Sequence, residues 1–211
     1  MSDKMYRRPA FVYFDLGKVL LNFSHARMCQ QVADELGHSV QAVQEFLFSP
    51  AILLPYERGQ ISTVELIERI NDRFSGRLTL SQAKQALGDI FWLNTTIVPL
   101  VVGLKSAGYR IGILSNTCDA HWDLAREKFS ILDLLFDVQV LSFRVNATKP
   151  DAEIYERAAE MAECSTRELF FVDDLLENVE GARQAGVDAV LYTSTPELAA
   201  DLRKRHLVFR Y

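Results

Sequence analysis

Cysteine is scarce in this sequence, and its few copies form no recognisable pattern. Cys29, Cys118 and Cys164 lie far apart, and none belongs to a pair with the spacing of a metal site. This distribution fits reduced thiols better than a disulfide framework. Cys118 falls near the site predicted below, but no adjacent residue is of a kind that lowers a thiol pKa. We expect it to pack as an inert side chain.

The sequence also lacks a long apolar run. No uninterrupted stretch approaches the roughly 20 apolar residues that cross a bilayer. The first ten residues, MSDKMYRRPA, are polar and have no apolar centre of the kind found in secretion signals. We therefore expect a cytoplasmic protein without a membrane partner.

Positive charge is in deficit. Lys and Arg number 23 against 28 Asp and Glu, which gives a formal net charge of −5. A nucleic-acid surface needs clustered Lys and Arg, and no basic stripe occurs, so no nucleic-acid partner is expected. Apolar residues, in contrast, make up 49% of the 211 positions, which is enough for one sizeable domain or one domain with a large insertion. Nothing in the sequence sets an oligomeric state.

The first apolar stretch is organised around an acid. Residues 11–17 read FVYFDLG, in which an aromatic and β-branched run stops at Asp15 and is followed by Leu16 and Gly17. In an open α/β sheet, ligands bind just beyond the carboxyl ends of the strands. Asp15 is therefore a candidate for chemistry, although Asp and Gly are also ordinary turn residues.

Strand and helix patterns alternate in the second half of the chain. Strands are predicted over 109–116, 138–141, 169–174 and 187–192, with helices between them. This alternation implies right-handed βαβ units and a parallel sheet. The block before it shows only helical patterns, including a capping box at Ser62–Glu65 and a helix over 80–93.

The predicted fold class is therefore α/β, with a doubly wound, Rossmann-like parallel sheet and an inserted helical cap. Residues 1–21 and 96–211 are assigned to the α/β core, and residues 22–95 to the cap, in which no strand is expected.

Each predicted core strand ends in polar residues of a different chemical kind. They are Asp15, then Ser115 and Asn116, then the loop that reaches Lys149, then Asp173 and Asp174. The carboxyl ends of parallel strands converge on one crevice. A nucleophilic carboxylate, a hydroxyl with backbone amides, an ammonium group and two further acids that bind a cation are the components of a phosphoryl-transfer site.

Four segments carry a resemblance to a known family. FDLGKVL, ILSNT, KPDAEIY and FVDDLLENVEGARQAG resemble, in order, the four motifs of the haloacid dehalogenase superfamily, and the helical block is similar to the cap between its first two motifs. Within the superfamily, DLG, LSNT and the segment Tyr56-Glu57-Arg58-Gly59 most resemble the alpha-D-glucose-1-phosphate phosphatase group. The resemblance implies a Mg²⁺-dependent phosphatase.

The resemblance also implies roles for individual residues. Asp15 would be the nucleophile, Ser115 a phosphate ligand, and Lys149 the charge that orders both Asp15 and the phosphate. Asn116 would offer its backbone amide to the phosphate. The metal ligands would be Asp15, the carbonyl of Gly17, Asp174 and, through water, Asp173. Asn178 and Gly181 would shape the loop after the fourth motif.

Gly17 departs from the superfamily pattern. Most of its phosphatases have a second Asp two residues after the nucleophile, which protonates the leaving alcohol, and a glycine cannot do so. Either the leaving group needs little help, as in an anomeric sugar phosphate, or another residue supplies the proton, or turnover is weak. His25 is the candidate donor, because histidine titrates near neutral pH. Lys18 has no clear role.

The cap is expected to close over the crevice and select the substrate. Arg27 either contacts the substrate or faces water. Trp92 is expected to pack within the cap. The other cap residues that bear on substrate choice are Phe23, His25, Tyr56, Glu57 and Arg58.

The leading hypothesis is hydrolysis of a small phosphorylated metabolite, a sugar phosphate above all, through an aspartyl-phosphate on Asp15. A non-catalytic or weakly active phospholigand binder is the main alternative, because Gly17 replaces the usual acid. A 2-haloacid dehalogenase is a third hypothesis. It would share Asp15 but needs no metal, and the pair Asp173-Asp174 argues against it.

Overall fold

The computed structural model describes residues 6–211 and contains a five-stranded parallel sheet in the order β5-β4-β1-β6-β7. The central strand β1 carries the aromatic run that precedes Asp15. The predicted α/β class with a doubly wound parallel sheet is confirmed. The strands are β1 (Phe11–Phe14), β2 (Leu21–Phe23), β3 (Phe91–Leu93), β4 (Ile111–Ser115), β5 (Val138–Leu141), β6 (Leu169–Asp173) and β7 (Asp188–Leu191).

Helices connect these strands and cover both faces of the sheet. A short 3-10 turn at Thr166–Glu168 precedes β6. The helices are α1 (His25–Leu36), α2 (Val40–Leu47), α3 (Leu53–Glu57), α4 (Thr63–Phe74), α5 (Leu80–Gly88), α6 (Val98–Ser106), α7 (Asp119–Lys128), α8 (Ile131–Leu134), α9 (Ser142–Val145), α10 (Ala152–Ala162), α11 (Leu176–Gln184) and α12 (Thr195–Lys204).

The central strand β1 is buried on both faces because successive side chains point in opposite directions. Phe11 and Tyr13 join the core under α10 and α11, where the Tyr13 hydroxyl donates to the carbonyl of Ala158 at 2.9 Å. Val12 and Phe14 join the larger core on the opposite face. A strand covered on both sides reads as a continuous apolar run, which explains the sequence FVYF.

A two-stranded antiparallel ribbon corrects the prediction that residues 22–95 contain no strand. Strands β2 and β3 pair with Leu21 opposite Leu93 and Phe23 opposite Phe91. The helix predicted over 80–93 therefore ends at Gly88, and its last residues form β3 instead. The pairing partners are about 70 positions apart in sequence, so local periodicity gave no sign of them.

Five helices, α1 to α5, lie between the two strands of the ribbon. Side-chain oxygens cap the starts of four of them: Ser24, Ser39, Ser62 and Thr79 each accept a backbone N–H of the first turn. The predicted capping box at Ser62–Glu65 is present. The apolar faces of these helices share one continuous core with a face of the sheet. Within residues 6–211, no helix combines the length and apolar character that crossing a membrane requires.

Candidate active site

Lys149 is the buried cation at the carboxyl end of the sheet. Its Nζ donates to Asp15 Oδ1 at 2.7 Å, to Asp173 Oδ2 at 2.6 Å and to the carbonyl of Leu114 at 3.1 Å. The side chain is 1% exposed. Because an ammonium group has three donors, these bonds use all of them. Lys149 therefore joins the ends of three neighbouring strands, β1, β4 and β6.

The start of α11 holds Asp173 from its other side. Asp173 Oδ1 accepts the backbone N–H of Leu175 at 2.8 Å, and Asn178 Nδ2 lies 3.1 Å from each carboxylate oxygen. Gly181 allows α11 to approach the loop of Lys149, because a Cβ there would lie 2.5 Å from the carbonyl oxygen of Pro150. These contacts agree with the expectation that Asn178 and Gly181 shape this region.

Three carboxylates meet beside Lys149. One oxygen from each of Asp15, Asp173 and Asp174 lies within 4.8 Å of the others. One ammonium group thus faces three acids, and their ionised forms leave a surplus of negative charge. Hard divalent cations such as Mg²⁺ bind oxygen ligands of this kind, so the donor set fits the expected ion. The carbonyl of Gly17 accepts the N–H of Val19 at 2.7 Å, and its second lone pair can take another partner.

Burial and mutual repulsion shift the proton affinities of these acids. Burial raises the pKa of Asp15 to about 7; Lys149 opposes the shift, and the Asp173 and Asp174 carboxylates add to it. Burial and Asp173 also raise the pKa of Asp174. Burial disfavours the charged form of Lys149, but the carboxylates of Asp15 and Asp173 outweigh it, and the pKa of Lys149 is raised. The lysine therefore stays charged, whereas Asp15 and Asp174 bind protons more readily than ordinary carboxyl groups do.

Ser115 and Asn116 lie at the end of β4, but their side chains make different contacts. Ser115 is buried at the end of β4, lines the cavity, and donates its hydroxyl to the carbonyl of Asn116 at 3.3 Å. The Asn116 side chain forms two hydrogen bonds with the backbone of Lys149. Its Nδ2 donates to the Lys149 carbonyl at 2.9 Å, and its Oδ1 accepts the Lys149 N–H at 2.8 Å. The sequence predicted a role for the Asn116 backbone amide and missed this positioning role of its side chain.

A cavity of about 540 Å³ opens above these residues. Asp15, Ser115, Lys149 and Asp174 form its charged floor. Residues of the helical segment form most of its wall, and they are predominantly apolar. The apolar wall residues are Phe23, Met28, Leu47, Phe48, Ile52 and Phe91, with further leucine and isoleucine side chains behind them.

His25 lines this cavity, whereas Arg27 does not. The His25 ring lies between Phe23 and Phe48, with ring centroids 4.8 Å and 4.9 Å away. Burial and the charge of Lys18 lower its pKa. Of the two alternatives for Arg27, the structure favours the one that faces water, because its guanidinium is half-exposed and pairs with Asp89 outside the cavity lining. Two positions along a helix differ by about 200°, which turns Arg27 away from the face that His25 occupies.

A phenyl ring fills the space beside Gly17. A Cβ at this position would lie 2.8 Å from Phe23 Cε1 and 3.7 Å from Asp15 Oδ2. The ring therefore occupies the side where a longer residue 17 would extend. Lys18, which had no assigned role, donates its Nζ to the Phe23 carbonyl at 3.0 Å and lies 4.6 Å from the centroid of the Phe23 ring. Gly17 and Phe23 together make the wall beside Asp15 apolar.

Two further titratable groups face the cavity. Burial raises the pKa of Glu57, against the opposing charge of Lys149. Burial lowers the pKa of His121 to about 4, and the charge of His25 acts in the same direction. The sequence interpretation missed His121; its position on the first turn of the helix after β4 was the available signal. Burial also raises the pKa of the Cys118 thiol to about 12, which agrees with an inert side chain.

The other residues that the sequence linked to substrate choice make contacts outside the charged floor. The Tyr56 hydroxyl bonds to Thr63 Oγ1 at 2.7 Å. The Arg58 guanidinium bridges to the loop of Lys149 through Thr148 at 3.1 Å and Asp151 at 2.5 Å. Trp92 is 50% exposed on β3, so the expectation that it packs within the cap is wrong. On an edge strand of a narrow ribbon, alternate side chains face solvent.

A protein-family model described as haloacid dehalogenase-like hydrolase matches residues 61–192, which is more than half of the chain. A D-ribitol-5-phosphate phosphatase from Bacteroides thetaiotaomicron is 25% identical over 199 residues, covering 92% of this chain and 94% of the relative. A sesquiterpene phosphatase from Aspergillus oryzae is also 25% identical, covering 90% and 93%.

Solved structures show the same fold. A haloacid dehalogenase family enzyme from Bacteroides thetaiotaomicron, in complex with magnesium and inorganic phosphate, superposes with a TM-score of 0.78 at 24% identity, over 88% of this chain and 94% of that one. A HAD-like hydrolase from Porphyromonas gingivalis gives 0.80 at 24% identity, over 94% and 98%. The expected likeness to the alpha-D-glucose-1-phosphate phosphatase group stays a prediction, since these relatives carry other names.

Proposed function

The chain belongs to the haloacid dehalogenase-like hydrolase family, and we propose that it is a Mg²⁺-dependent phosphatase of small phosphate monoesters. The observation that carries the proposal is the arrangement around Lys149, where one ammonium group holds two of three converging carboxylates. The named relatives that match nearly the whole chain are phosphatases, which supports phosphate monoesters as substrates.

Asp15 is the proposed nucleophile. Lys149 holds its Oδ1 and leaves Oδ2 directed to the side of Gly17 and the cavity. A carboxylate oxygen of Asp15 attacks phosphorus, the bond between phosphorus and the ester oxygen breaks, and an aspartyl-phosphate forms. Water then attacks the same phosphorus, which releases inorganic phosphate and regenerates the carboxylate. The buried pair with Lys149 keeps the side chain in position for both steps.

The surrounding residues bind the phosphoryl group and the metal. The Ser115 hydroxyl, the Asn116 backbone amide and the Lys149 ammonium are proposed to hold phosphoryl oxygens as negative charge shifts during the reaction. Asp15, Asp174 and the carbonyl of Gly17 would bind Mg²⁺, with Asp173 acting through water. The ion, when bound, offsets the repulsion between the carboxylate nucleophile and the phosphate.

Residues 22–95 are proposed to act as the cap and residues 1–21 and 96–211 as the catalytic core. The cavity wall comes mainly from the helices of the proposed cap, and the cavity floor comes from the ends of the strands. Closure over a bound ester would exclude water from the reacting atoms. The cap would then choose the organic part of the substrate.

The leaving oxygen needs a proton or a low basicity, because position 17 has no acid. An anomeric sugar phosphate meets this need, and the sugar phosphate expected from the sequence stays a prediction. His25 is the candidate proton donor from the sequence and lines the cavity next to Phe23, but its lowered pKa reduces the protonated fraction that this role requires. Weak turnover, or ligand binding without turnover, is the alternative that an experiment has to exclude.

The test measures release of inorganic phosphate from a panel of sugar, nucleotide and aryl phosphates, with Mg²⁺ or with a chelator. Asp15→Asn should abolish release, because an amide cannot form the acyl phosphate. Asp133→Asn, which alters a surface ion pair with Arg126, serves as the matched control and should retain activity. Equal release by wild type and Asp15→Asn would overturn the proposal. Chloride release from a 2-haloacid in the presence of a chelator would instead identify a dehalogenase.

A further inference from the structure

Five aromatic rings follow one another along the cavity wall. In order they are Phe48, His25, Phe23, Phe91 and His121. Successive ring centroids lie 4.9, 4.8, 6.0 and 5.5 Å apart. All of these distances fall within the range of aromatic contacts. We call this set the aromatic chain.

The middle ring of the aromatic chain lies beside the proposed nucleophile. The Phe23 ring lies where a side chain at position 17 would extend, next to Asp15 Oδ2. Because the leaving oxygen departs on the side of phosphorus opposite the attacking Asp15 oxygen, the organic group of an ester extends into the cavity whose wall carries these rings. Met28, Leu47 and Ile52 continue the apolar surface away from the floor, and each is less than 10% exposed.

Few polar groups face the organic part of a substrate. The Tyr56 hydroxyl lines the cavity but is already bonded to Thr63. His25 and Glu57 from residues 22–95 and His121 from α7 are polar side chains that line the cavity near the rings. Lys18 and Glu177 also line it, and the Lys18 ammonium already donates to the Phe23 carbonyl. Burial lowers the pKa of both histidines, which favours neutral, aromatic imidazoles. A sugar carries several hydroxyl groups, and each one buried without a partner lowers affinity by about tenfold.

We infer that the organic group of the substrate is apolar and aromatic, so that the phosphate is carried on a phenol-type oxygen rather than on a polyol. This inference rests on the proposed function and names its substrate class. Two independent observations lead to it: the aromatic chain on the wall, and the absence of an acid at position 17.

The chemistry of the leaving group agrees with this wall. A phenol ionises with a pKa near 10, about six units below that of water, so a phenolate leaves without being protonated first. In the proposed step the Asp15 oxygen bonds to phosphorus, the bond from phosphorus to the phenolic oxygen breaks, and its electron pair stays on the phenolate. Solvent protonates this anion later. Gly17 is then compatible with efficient turnover.

Three esters with six-membered rings separate the two requirements. Phenyl phosphate is apolar and has a weakly basic leaving oxygen, cyclohexyl phosphate is apolar with a strongly basic one, and glucose 1-phosphate is polar with a weakly basic one. With Mg²⁺, kcat/KM should be highest for phenyl phosphate, by about tenfold or more over each of the others. Cyclohexyl phosphate should keep a low KM and lose kcat. Glucose 1-phosphate should lose affinity.

Phenyl phosphates with a growing 4-alkyl chain then test the wall. Each buried methylene should raise kcat/KM by about fourfold until the cavity is full. Phe48→Ser should flatten this dependence on chain length, and Phe48→Leu should restore most of it. The matched control is Phe46→Ser, two residues earlier in α2, because Phe46 is half-buried but contacts Phe74 and does not line the cavity. Phe46→Ser should leave the chain-length dependence intact.

Binding of 4-alkyl phenylphosphonates by calorimetry gives a readout that does not depend on turnover. The heat-capacity change on binding should be negative and should grow with chain length. Higher kcat/KM for glucose 1-phosphate than for phenyl phosphate, or no effect of chain length on either readout, would overturn the inference while leaving the phosphatase intact. Failure of every ester to release phosphate through Asp15 would overturn the proposed function itself.

Discussion

Two buried cations in this molecule are neutralised in different ways. Lys149 lies at the carboxyl end of the sheet, bonded to Asp15 and Asp173, with Asp174 close by. One positive charge therefore stands against three acids. Burial and repulsion leave the pKa of Asp15 raised to about 7, although Lys149 opposes the shift.

Arg205, by contrast, follows α12 on the other side of the molecule and is 3% exposed. Its guanidinium bonds to both carboxylate oxygens of Asp188 and to the carbonyl of Asp201. The rings of Tyr6 and Phe170 lie 4.4 Å and 4.6 Å from its central carbon. One positive charge meets one negative charge in a bidentate pair, and aromatic faces cover the rest.

The balance of charge separates a structural ion pair from a site prepared for a ligand. The Arg205 pair is neutral as it stands and requires nothing further. The Lys149 cluster has more acid than base, so it favours a divalent cation and then a phosphate. Excess negative charge is costly when it is buried, and a fold retains such an arrangement where binding or chemistry uses it.

Replacing Lys149 should have the largest effect. In Lys149→Met, Asp15 and Asp173 lose the ammonium group to which they are bonded and Asp15 loses its position, so phosphatase activity should fall by about 10³-fold or more. The measurement is Mg²⁺-dependent phosphate release, with Lys84→Met as the control because Lys84 pairs with Asp123 at the surface. Activity of Lys149→Met within tenfold of wild type would contradict the proposed role.

Breaking the Arg205–Asp188 ion pair should lower the stability of the fold without changing its catalytic activity. Arg205→Met leaves the Asp188 carboxylate without its partner, but this side chain is 37% exposed and water can solvate it, so we expect the free energy of unfolding to fall by about 1–3 kcal/mol. Denaturant unfolding measures this loss, and kcat/KM at low temperature should stay at the wild-type value.

Lys204→Met is the control for that variant, because Lys204 is exposed and pairs only with Asp201. The double variant Arg205→Met, Asp188→Asn should recover part of the lost stability, since it removes the stranded charge. Equal stability of Arg205→Met and Lys204→Met would show that the buried pair is not structural.

Magnesium should stabilise the fold by binding at the acids around Lys149 and not at the Arg205–Asp188 pair. At a Mg²⁺ concentration of about 100 times its Kd, the folded state should gain about 2.7 kcal/mol. For a chain of this length the Tm should rise by about 5–10 °C. Asp174→Asn should reduce this shift strongly, whereas Asp188→Asn should not. An identical shift in both variants would place the cation elsewhere.

His121 extends the comparison to a half-buried base whose pKa is shifted mainly by burial. Its folded pKa of about 4 lies below the unfolded value of 6.5. The unfolded chain therefore takes up a proton that the folded chain resists, and this contribution to stability is lost as the pH falls from 6.5 to 4. Between pH 7 and pH 4.5, the free energy of unfolding should fall by about 2 kcal/mol less in His121→Phe than in the wild type. Unfolding at pH 7 and at pH 4.5 measures it, and equal losses in wild type and variant would refute it.

Local sequence patterns predicted the sheet well because each core strand carries its own signal. The run before Asp15 is apolar on both faces, and the predicted strands over 109–116, 138–141 and 169–174 contain the observed β4, β5 and β6. The ribbon escaped prediction because its three-residue strands are too short to show a period. They exist only through pairing across the intervening helices.

The site was predictable to the extent that strand ends converge. Asp15, Ser115, Lys149 and Asp173 all line or bound one crevice, as parallel topology requires. The orientation of the Arg27 side chain was not predictable, because it depends on the rotation of α1 about its axis and on a partner, Asp89, that lies 62 positions away in sequence. The individual catalytic and metal-binding roles of Asp15, Ser115, Lys149 and Asp173 stay predictions.

The sequence by itself determined the fold class and the residue types that meet at the carboxyl end of the sheet. These follow from short-range periodicity and from a topology that brings consecutive strand ends together. Only the tertiary structure decided that the Asn116 side chain bonds to the Lys149 backbone and that the Phe23 ring fills the space beside Gly17. Such contacts depend on packing between distant segments, and packing also makes the wall above Asp15 apolar and aromatic.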